Sequence, residues 1–447
     1  MAAMTSDTIC AMSSGAGRSG VAVIRVSGPA AGEVLRKLGG KLPAPRRATL
    51  RKLHHPRTSA VLDRGLVLWF EAPASFTGED MAELHVHGGR AVVAGVIYAI
   101  LAVKDVRLAE PGEFARRAFE NGKVDLTEVE GLADLINAET EAQRRQALAQ
   151  AEGSLRTLYE GWRAELLRAQ ALVEAGLDFA DEGDVVVDVS VKAGAIVAGL
   201  LASMSRHLAD RSGERLRDGV RIVIAGPPNA GKSSLLNALA KRDVAIVSEE
   251  AGTTRDVLEV HLDLGGLPVI LTDTAGLREA QGKVEAEGIR RALSRVDQAD
   301  VVLWLVDATA PIWEPPASLG SRVLVYVLNK IDLAPEAAHA SRKKERDYIP
   351  VSAKTGEGLE HLIQALEEQA ALATEAGAGS PLMTRARHRV ELEGARAALQ
   401  RFGDPSLSPE LKAEELRVAA HHLGRLTGRI DVEEVLGAIF SEFCIGK

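Results

Sequence analysis

Apolar positions along the chain follow three different patterns, and the changes of pattern mark its parts. From Thr8 to about Asn121, short runs of β type (Val21 to Val26, Leu66 to Phe70, Ala82 to Val86) alternate with turn signals at Ser14-Gly15-Ala16-Gly17, Pro56 and Gly88-Gly89. Ala91 to Val103 is apolar enough for a buried helix, and Pro111 stands where a proline opens the next, Gly112 to Asn121. Strands and helices mixed over so short a span predict a compact α+β domain.

From Val124 to about Leu208 the period changes to three and four, as in Leu132, Leu135, Ile136 and again Leu166, Leu172, Val173, Leu177. This predicts long helices, interrupted at the acidic Asp181 to Asp184. A polar run, Asp210 to Gly219, and a loose tract, Ala373 to Ser380, bracket a third pattern of buried strands with helices between them. Helical periodicity resumes after Pro381 and continues to Phe443. Helical sequence on both sides of the central part predicts one helical domain with an α/β domain inserted at loop positions. The expected boundaries are 1–121 for the N-terminal domain, 122–217 and 374–447 for the two parts of the helical domain, and 218–373 for the insert. No internal repeat is evident at solenoid periods.

Composition adds limits to this outline. A chain of 447 residues, 46% hydrophobic, exceeds a single ordinary core and supports several. No apolar run approaches the roughly 18 residues of a spanning helix, and no basic-then-apolar segment opens the chain. The expectation is a soluble cytoplasmic protein with no membrane partner. Its two cysteines, Cys10 and Cys444, lie at opposite ends of the sequence and exclude a disulfide framework. A formal charge of -8 argues against a general nucleic-acid coat but leaves room for a local basic face that docks one RNA.

The chemistry is carried by Gly226-Pro227-Pro228-Asn229-Ala230-Gly231-Lys232-Ser233, which fits G-x-x-x-x-G-K-[ST] between the apolar strand Arg221 to Ala225 and the helix opening at Ser234. The two glycines let backbone N–H groups turn toward a polyphosphate at the positive end of a helix. Lys232 reaches the outer phosphates, and the Ser233 hydroxyl is suited to Mg²⁺. A strand at Val269 to Leu271 then leads to Asp273-Thr274-Ala275-Gly276, where a carboxylate can hold the Mg²⁺ shell and the Gly276 N–H can meet the γ-phosphate. The strand Val323 to Leu328 ends in Asn329-Lys330-Ile331-Asp332, and Asp347 to Val351 leads into Ser352-Ala353-Lys354. This ordered set resembles the Ras-like GTPase superfamily, in which the tetrad's aspartate accepts two hydrogen bonds from guanine. Adenine presents the opposite pattern, so the expected ligand is GTP.

Between the first two elements lies Ser248-Glu249-Glu250-Ala251-Gly252-Thr253-Thr254. Thr254 is the candidate switch threonine, able to close over Mg²⁺ and the γ-phosphate. Leu277 occupies the position where the best-known switch GTPases carry the glutamine that orients water, so either the enzyme is slow unaided or another group and another charge do that work. An oxygen of Asn229 is suited to holding a monovalent cation against the phosphates, although a loop asparagine needs no such role.

With these elements in view, the chain resembles from end to end the MnmE (TrmE) family of tRNA-modifying GTPases. The resemblance rests further on Ser75-Phe76-Thr77-Gly78-Glu79-Asp80 with Glu83 and His87-Gly88-Gly89, and on Pro111-Gly112-Glu113-Phe114 with Arg117-Ala118-Phe119. The terminal Cys444-Ile445-Gly446-Lys447 adds the C-x-G-K ending. It implies an N-terminal domain like tetrahydrofolate-binding domains that forms the homodimer and holds 5-formyltetrahydrofolate at Arg25, Glu83, Lys123 and Lys447. It assigns K⁺ to Asn229, Ser248, Glu250 and Thr253, Mg²⁺ to Ser233 and Thr254, and water activation to Glu285. Ser234 joins the GTP-binding set, and Cys444 falls where a reactive thiol is proposed. It implies two partners, tRNA and an FAD-dependent protein of the MnmG (GidA) family. Arg385, Arg387, Arg389, Arg425 and Arg429 are candidates for tRNA phosphate. Taken singly, Arg25, Glu83 and Lys123 read better as surface charges, Glu285 as an exposed helix-start carboxylate and Cys444 equally as an inert thiol. The competing class is a regulatory GTPase of ribosome assembly, from which a basic RNA-binding module in place of the folate-like domain would distinguish it.

Overall fold

The structure is a computed structural model of the chain. It describes residues 7–15, 17–178, 183–242, 244–246, 259–273, 298–316, 319, 324–337, 347–375, 383–430, 436–437, 439–440, 443 and 446. Two compact units emerge, residues 1–133 with 423–447 and residues 134–422.

The first unit is built on a sheet of order β3-β4-β5-β2-β1-β6. Its strands are β1 (Thr8–Met12), β2 (Ser19–Ser27), β3 (Thr49–His54), β4 (Val61–Phe70), β5 (Met81–Gly88) and β6 (Val106–Leu108). All neighbours run antiparallel except β1 and β6. Helices α1 (Ala31–Gly39) and α2 (Arg90–Leu101) enclose a core with the inward residues Ile24, Val26, Val67 and Leu84. Helix α3 (Glu113–Glu120) seats Phe114 against Ile9 and Ala11 of β1. The α+β character expected here is borne out. Helix α3 starts one residue later than Pro111 suggests, because Gly112 takes a left-handed φ of 67° as its N-cap. A Cβ there would stand 2.5 Å from the Phe440 carbonyl, so a side chain would need both strain and displacement.

After α4 (Leu126–Asn137), the second unit continues with α5 (Glu141–Ala151), α6 (Ser154–Asp178) and α7 (Gly183–Ala209). Helix α5 is started by a reciprocal capping box between Thr140 and Gln143. The tract Asp210 to Gly219 departs from the loose linker expected of it. It contains α8 (Ser212–Asp218), with Ser212, Gly213 and Leu216 buried. Several of its polar residues are paired within the second unit. Arg215 Nε bonds Asp300 at 2.7 Å, Arg217 Nε bonds Asp134 at 3.1 Å, and Glu214 takes both arms of Arg389 at 3.0 and 2.9 Å.

Beyond α8 lies the second sheet, of order β12-β11-β10-β7-β9-β8. It comprises β7 (Val220–Ala225), β8 (Glu259–Leu264), β9 (Leu267–Asp273), β10 (Val301–Asp307), β11 (Leu324–Asn329) and β12 (Tyr348–Pro350). Every pairing is parallel except β8 with β9. Helices α9 (Lys232–Ala240) and α10 (Leu359–Thr374) bury Leu235, Leu236, Leu362 and Leu366 against it. This is the Ras-like α/β fold expected of the insert, with the loops that follow β7, β11 and β12 at the carboxyl ends of parallel strands. Helices α11 (Ala386–Phe402) and α12 (Pro409–Thr427) complete the helical part. No helix among the described residues is long and apolar enough to cross a membrane.

Candidate functional site

The cradle between β7 and α9 is shaped by close approach. A Cβ on Gly226 would lie 2.5 Å from the Leu305 carbonyl of β10, and one on Gly231 would overlap the Asn329 amide. Asn229 and Gly231 both take left-handed φ, 65° and 94°, which turns the loop back before α9 begins at Lys232. Lys232 is buried, and its Nζ donates to the Gly226 and Pro227 carbonyls, both at 2.9 Å. The Ser233 hydroxyl lies 2.5 Å from Asp273 Oδ2 at the end of β9. Two hard oxygen donors, one a carboxylate, thus converge beside the cradle, a donor set that suits Mg²⁺.

At the far end of the sheet, Asn329 is almost fully buried and ties two loops together. Its Nδ2 donates to the Ala230 carbonyl at 2.9 Å, and its Oδ1 accepts from the Ala353 N–H at 3.1 Å. Lys330, at φ 66°, sends its Nζ to the Asn229 carbonyl and to Asp307 Oδ2, both at 2.6 Å. Asp332 is exposed and is steadied by the Ser352 hydroxyl at 2.7 Å. Ser234 and Lys354 are exposed at the mouth, and Ala353 is half-buried.

Sequence reasoning missed Asp307, which closes β10 and braces Lys330. Burial alone would raise its pKa, but the hydrogen bonds from Lys330 and Thr309 prevail and lower it. Its one signal is its place at the end of the apolar run Val301 to Val306. Ser248, Glu249, Glu250, Ala251, Gly252, Thr253, Thr254, Thr274, Ala275, Gly276 and Glu285 lie outside the described residues, as do Cys444 and Lys447.

A second cluster occupies the first unit. Arg25 and Glu83 face each other across β2 and β5 and pair at 3.1 Å. The Arg25 guanidinium lies over the rings of Phe76 and Phe114, at 5.6 and 5.7 Å, and Glu83 also bonds His85 Nε2 at 3.2 Å. Lys123 Nζ donates to the Pro73 carbonyl at 3.0 Å. The Ser13 hydroxyl donates to the Gly446 carbonyl at 2.7 Å, so the described part of the C-terminal tetrad meets the turn between β1 and β2.

Near it, Arg117 is 2% exposed and bonds Asp7 Oδ1 at 2.9 Å, Glu113 Oε1 at 3.0 Å and Glu79 at 3.3 Å. Burial would raise the Glu113 pKa, but hydrogen bonds from Arg107, the Glu110 N–H and Arg117 lower it.

Two arginines expected at tRNA phosphate are engaged inside the second unit instead. Arg385 is buried and bonds Asp134 at 2.8 Å, and Arg389 grips Glu214 and the Leu208 carbonyl. Helical periodicity placed these arginines on a helix, but not that two of them face acidic residues of other helices.

The sequence profile "MnmE helical domain" matches residues 126–444, and "GTP-binding protein TrmE N-terminus" matches residues 8–123. The "tRNA modification GTPase MnmE" of Parvibaculum lavamentivorans is 54% identical, covering 99% of this chain and 100% of that protein. Proteins of the same name from Beijerinckia indica and Paramagnetospirillum magneticum are each 54% identical. The alignments cover 100% and 99% of this chain, and 97% and 100% of theirs. The likeness extends across the N-terminal and helical parts as well as the nucleotide cradle, which disposes of the ribosome-assembly alternative. A guanine-type cradle flanked by both companion domains, matched along its whole length, makes this chain a member of the MnmE (TrmE) family.

Proposed function

We propose that this chain is a K⁺-stimulated GTP hydrolase of tRNA modification that works as a homodimer with an FAD-dependent MnmG-type partner. The pair installs an aminomethyl or carboxymethylaminomethyl group at carbon five of the wobble uridine of certain tRNAs, using the one-carbon unit of 5-formyltetrahydrofolate. Family membership and the shared name of the relatives support the GTPase and tRNA parts of this reading.

The observation that carries the nucleotide assignment is the pair of hydrogen bonds made by Asn329. By joining the Ala230 carbonyl to the Ala353 N–H, it fixes the phosphate cradle and the base loop at one spacing. The Asp332 carboxylate then stands ready for the two N–H donors on the guanine edge, while Ser352 limits its rotation. Ser233, with Asp273 beside it and Thr254 from the switch, would hold Mg²⁺, which supplies charge neutralisation at the phosphates when bound. Lys232 places its ammonium among the cradle carbonyls, within reach of the outer phosphates. Asn229, Ser248, Glu250 and Thr253 would hold K⁺, and Glu285 would orient the attacking water.

In the first unit, Arg25, Glu83, Lys123 and Lys447 are the candidate folate contacts. Support comes from the Arg25–Glu83 pair, which offers a carboxylate and a guanidinium side by side to a pterin edge or a glutamyl tail.

The test is GTP turnover in K⁺ against Na⁺, with Asn229→Ala beside the native chain. Native turnover should be faster in K⁺, and the variant should lose that advantage. Equal native rates in the two salts would remove the K⁺ role. Fluorescence titration with 5-formyltetrahydrofolate tests the folate site independently, and Glu83→Ala should abolish the signal.

A further inference from the structure

With Arg385 and Arg389 committed to internal carboxylates, a different surface is suited to RNA. Residues 36–64 carry nine lysines and arginines against a single carboxylate, Asp63, in a chain whose net charge is -8. They form the last turn of α1, the connection to β3, the edge strand β3 itself, its hairpin turn and the start of β4. Helix α1 packs on β3, where the stem of Arg51 lies 3.8 Å from a Cβ built on Gly39, so these segments make one continuous rim. Asp63 is occupied by His87, at 2.8 Å to both its backbone and its ring nitrogen.

Lys37 has an acidic partner, Glu33 at 2.7 Å, and together with Arg36 it complements the end of α1. Arg46 donates to the Ala74 carbonyl at 2.5 Å. Lys41, Arg47, Lys52, Arg57 and Arg64 are exposed, and their side chains make no hydrogen bond or ion pair among the described residues. Lys52 and Arg64 are direct cross-strand partners, a like-charge pair that weakens the hairpin. Charges on an edge strand do guard it against pairing with other strands. That role accounts for Lys52 but not for Lys41 and Arg47 in the connection, Arg57 at the turn, or Arg64 on the inner strand.

We infer that this rim docks the sugar-phosphate backbone of the tRNA substrate. The inference rests on the tRNA reading above and names the surface on which it is realised. Unpaired guanidinium forks and ammonium groups suit phosphate oxygens, and contacts of this kind set affinity and orientation with no dependence on base sequence.

The test compares the full-length chain with the variant Lys41→Ser/Arg47→Ser/Lys52→Ser/Arg57→Ser and the charge-keeping Arg47→Lys/Arg57→Lys. Binding of end-labelled unfractionated tRNA is measured over a range of KCl concentrations, with GTP turnover and thermal unfolding measured in parallel. The serine variant should lose roughly tenfold or more in affinity near 0.1 M salt, and its slope of log K against log salt should be shallower by about two to four. Its GTP turnover should be unchanged. Its unfolding midpoint should hold or rise by about 1–2 °C, because Lys52 no longer opposes Arg64. The Arg→Lys variant should keep most of the binding.

If the native chain binds tRNA and the serine variant binds it within twofold and with the same salt slope, this surface is overturned while the tRNA reading stands. If the native chain shows no salt-dependent tRNA binding, the tRNA reading falls and takes the surface with it. If tRNA binding persists and only capture of the flavoprotein partner is lost, the rim belongs to a protein contact and the RNA assignment is overturned.

Discussion

The nucleotide cradle and the Arg117 centre are both polar, tightly bonded and partly or wholly buried, but they are assembled in opposite ways. In the cradle, backbone carbonyls and N–H groups make most of the bonds, and side chains meet them from three short motifs, each at the end of a strand. Around Arg117 nearly all bonds run between side chains, and the partners Asp7, Glu79 and Glu113 come from three separated stretches of sequence. A site made of local backbone has a local signature. A site made of converging charges has none, and its members read singly as surface residues.

The contrast predicts which substitutions damage the fold and which damage function. The largest effect on stability should come from Arg117→Met. Removing the guanidinium leaves Asp7, Glu79 and Glu113 crowded with one cation fewer, and should cost about 3–5 kcal/mol in the first unit. Thermal unfolding should show that transition falling while guanine-nucleotide affinity in the second unit stays near native. A parallel fall in nucleotide binding would break the comparison.

Asp332→Asn should do the reverse. Replacing the carboxylate removes two charge-assisted bonds to guanine, about 3 kcal/mol or roughly a hundredfold in affinity. Unfolding should be unaffected, because Asp332 is exposed. Competition with xanthosine diphosphate should show a gain, since asparagine presents a donor where xanthine presents a carbonyl.

Acid should separate the two units in a third way. Burial pushes His207 down to about 4, with repulsion from His388 and Arg389 adding to this and Asp210 opposing it. Its pKa is therefore lower folded than unfolded, and its contribution is complete above about pH 6.5 and lost as pH falls toward 4. Between pH 6.5 and 5.5 the second unit should lose about 1 kcal/mol, and His207→Phe should flatten that slope. The depressed carboxylates Asp7 and Glu113 contribute stability above their ordinary values of 3.8 and 4.5, so the first unit should hold through the same interval. Calorimetry at pH 7.5 and 5.5 resolves the difference.

The smallest effect should be that of Arg215→Ala. This half-exposed arginine pairs with Asp300 at 2.7 Å and donates to the Ala373 carbonyl at 2.9 Å, together worth about 1 kcal/mol. A shift in GTP turnover out of proportion to so small a change in stability would show that α8 transmits motion to the cradle.

The same distinction explains what could be read from the chain beforehand. The strands at Leu66 to Phe70, Ala82 to Val86 and Arg221 to Ala225 lie within β4, β5 and β7, because their apolar runs sit between turn signals. Strand β3 was not legible. Its two leucines, Leu50 and Leu53, stand three apart with Arg51 and Lys52 between them, so no period of two shows, and along a sheet edge neither side of the strand need be apolar. Strand β10, apolar throughout, carries no motif, so the brace at its end, Asp307, escaped notice too. The polar tract before β7 was read by composition alone, which cannot tell solvent-facing charges from charges paired to Asp134, Asp300 and Arg389.

One bond at that tract bears on how such a chain came to be put together. Arg215, just ahead of β7, donates through Nη1 to the carbonyl of Ala373, near the end of α10, at 2.9 Å. Arg215 therefore ties the point where the polypeptide leaves the helices for the nucleotide fold to the point near its return. A cassette whose two ends meet can be cut out and bridged by a few residues, or exchanged for another, without unravelling its host. A foreign nucleotide fold grafted between Asp218 and Glu375 would enter and leave its host at two points already held side by side.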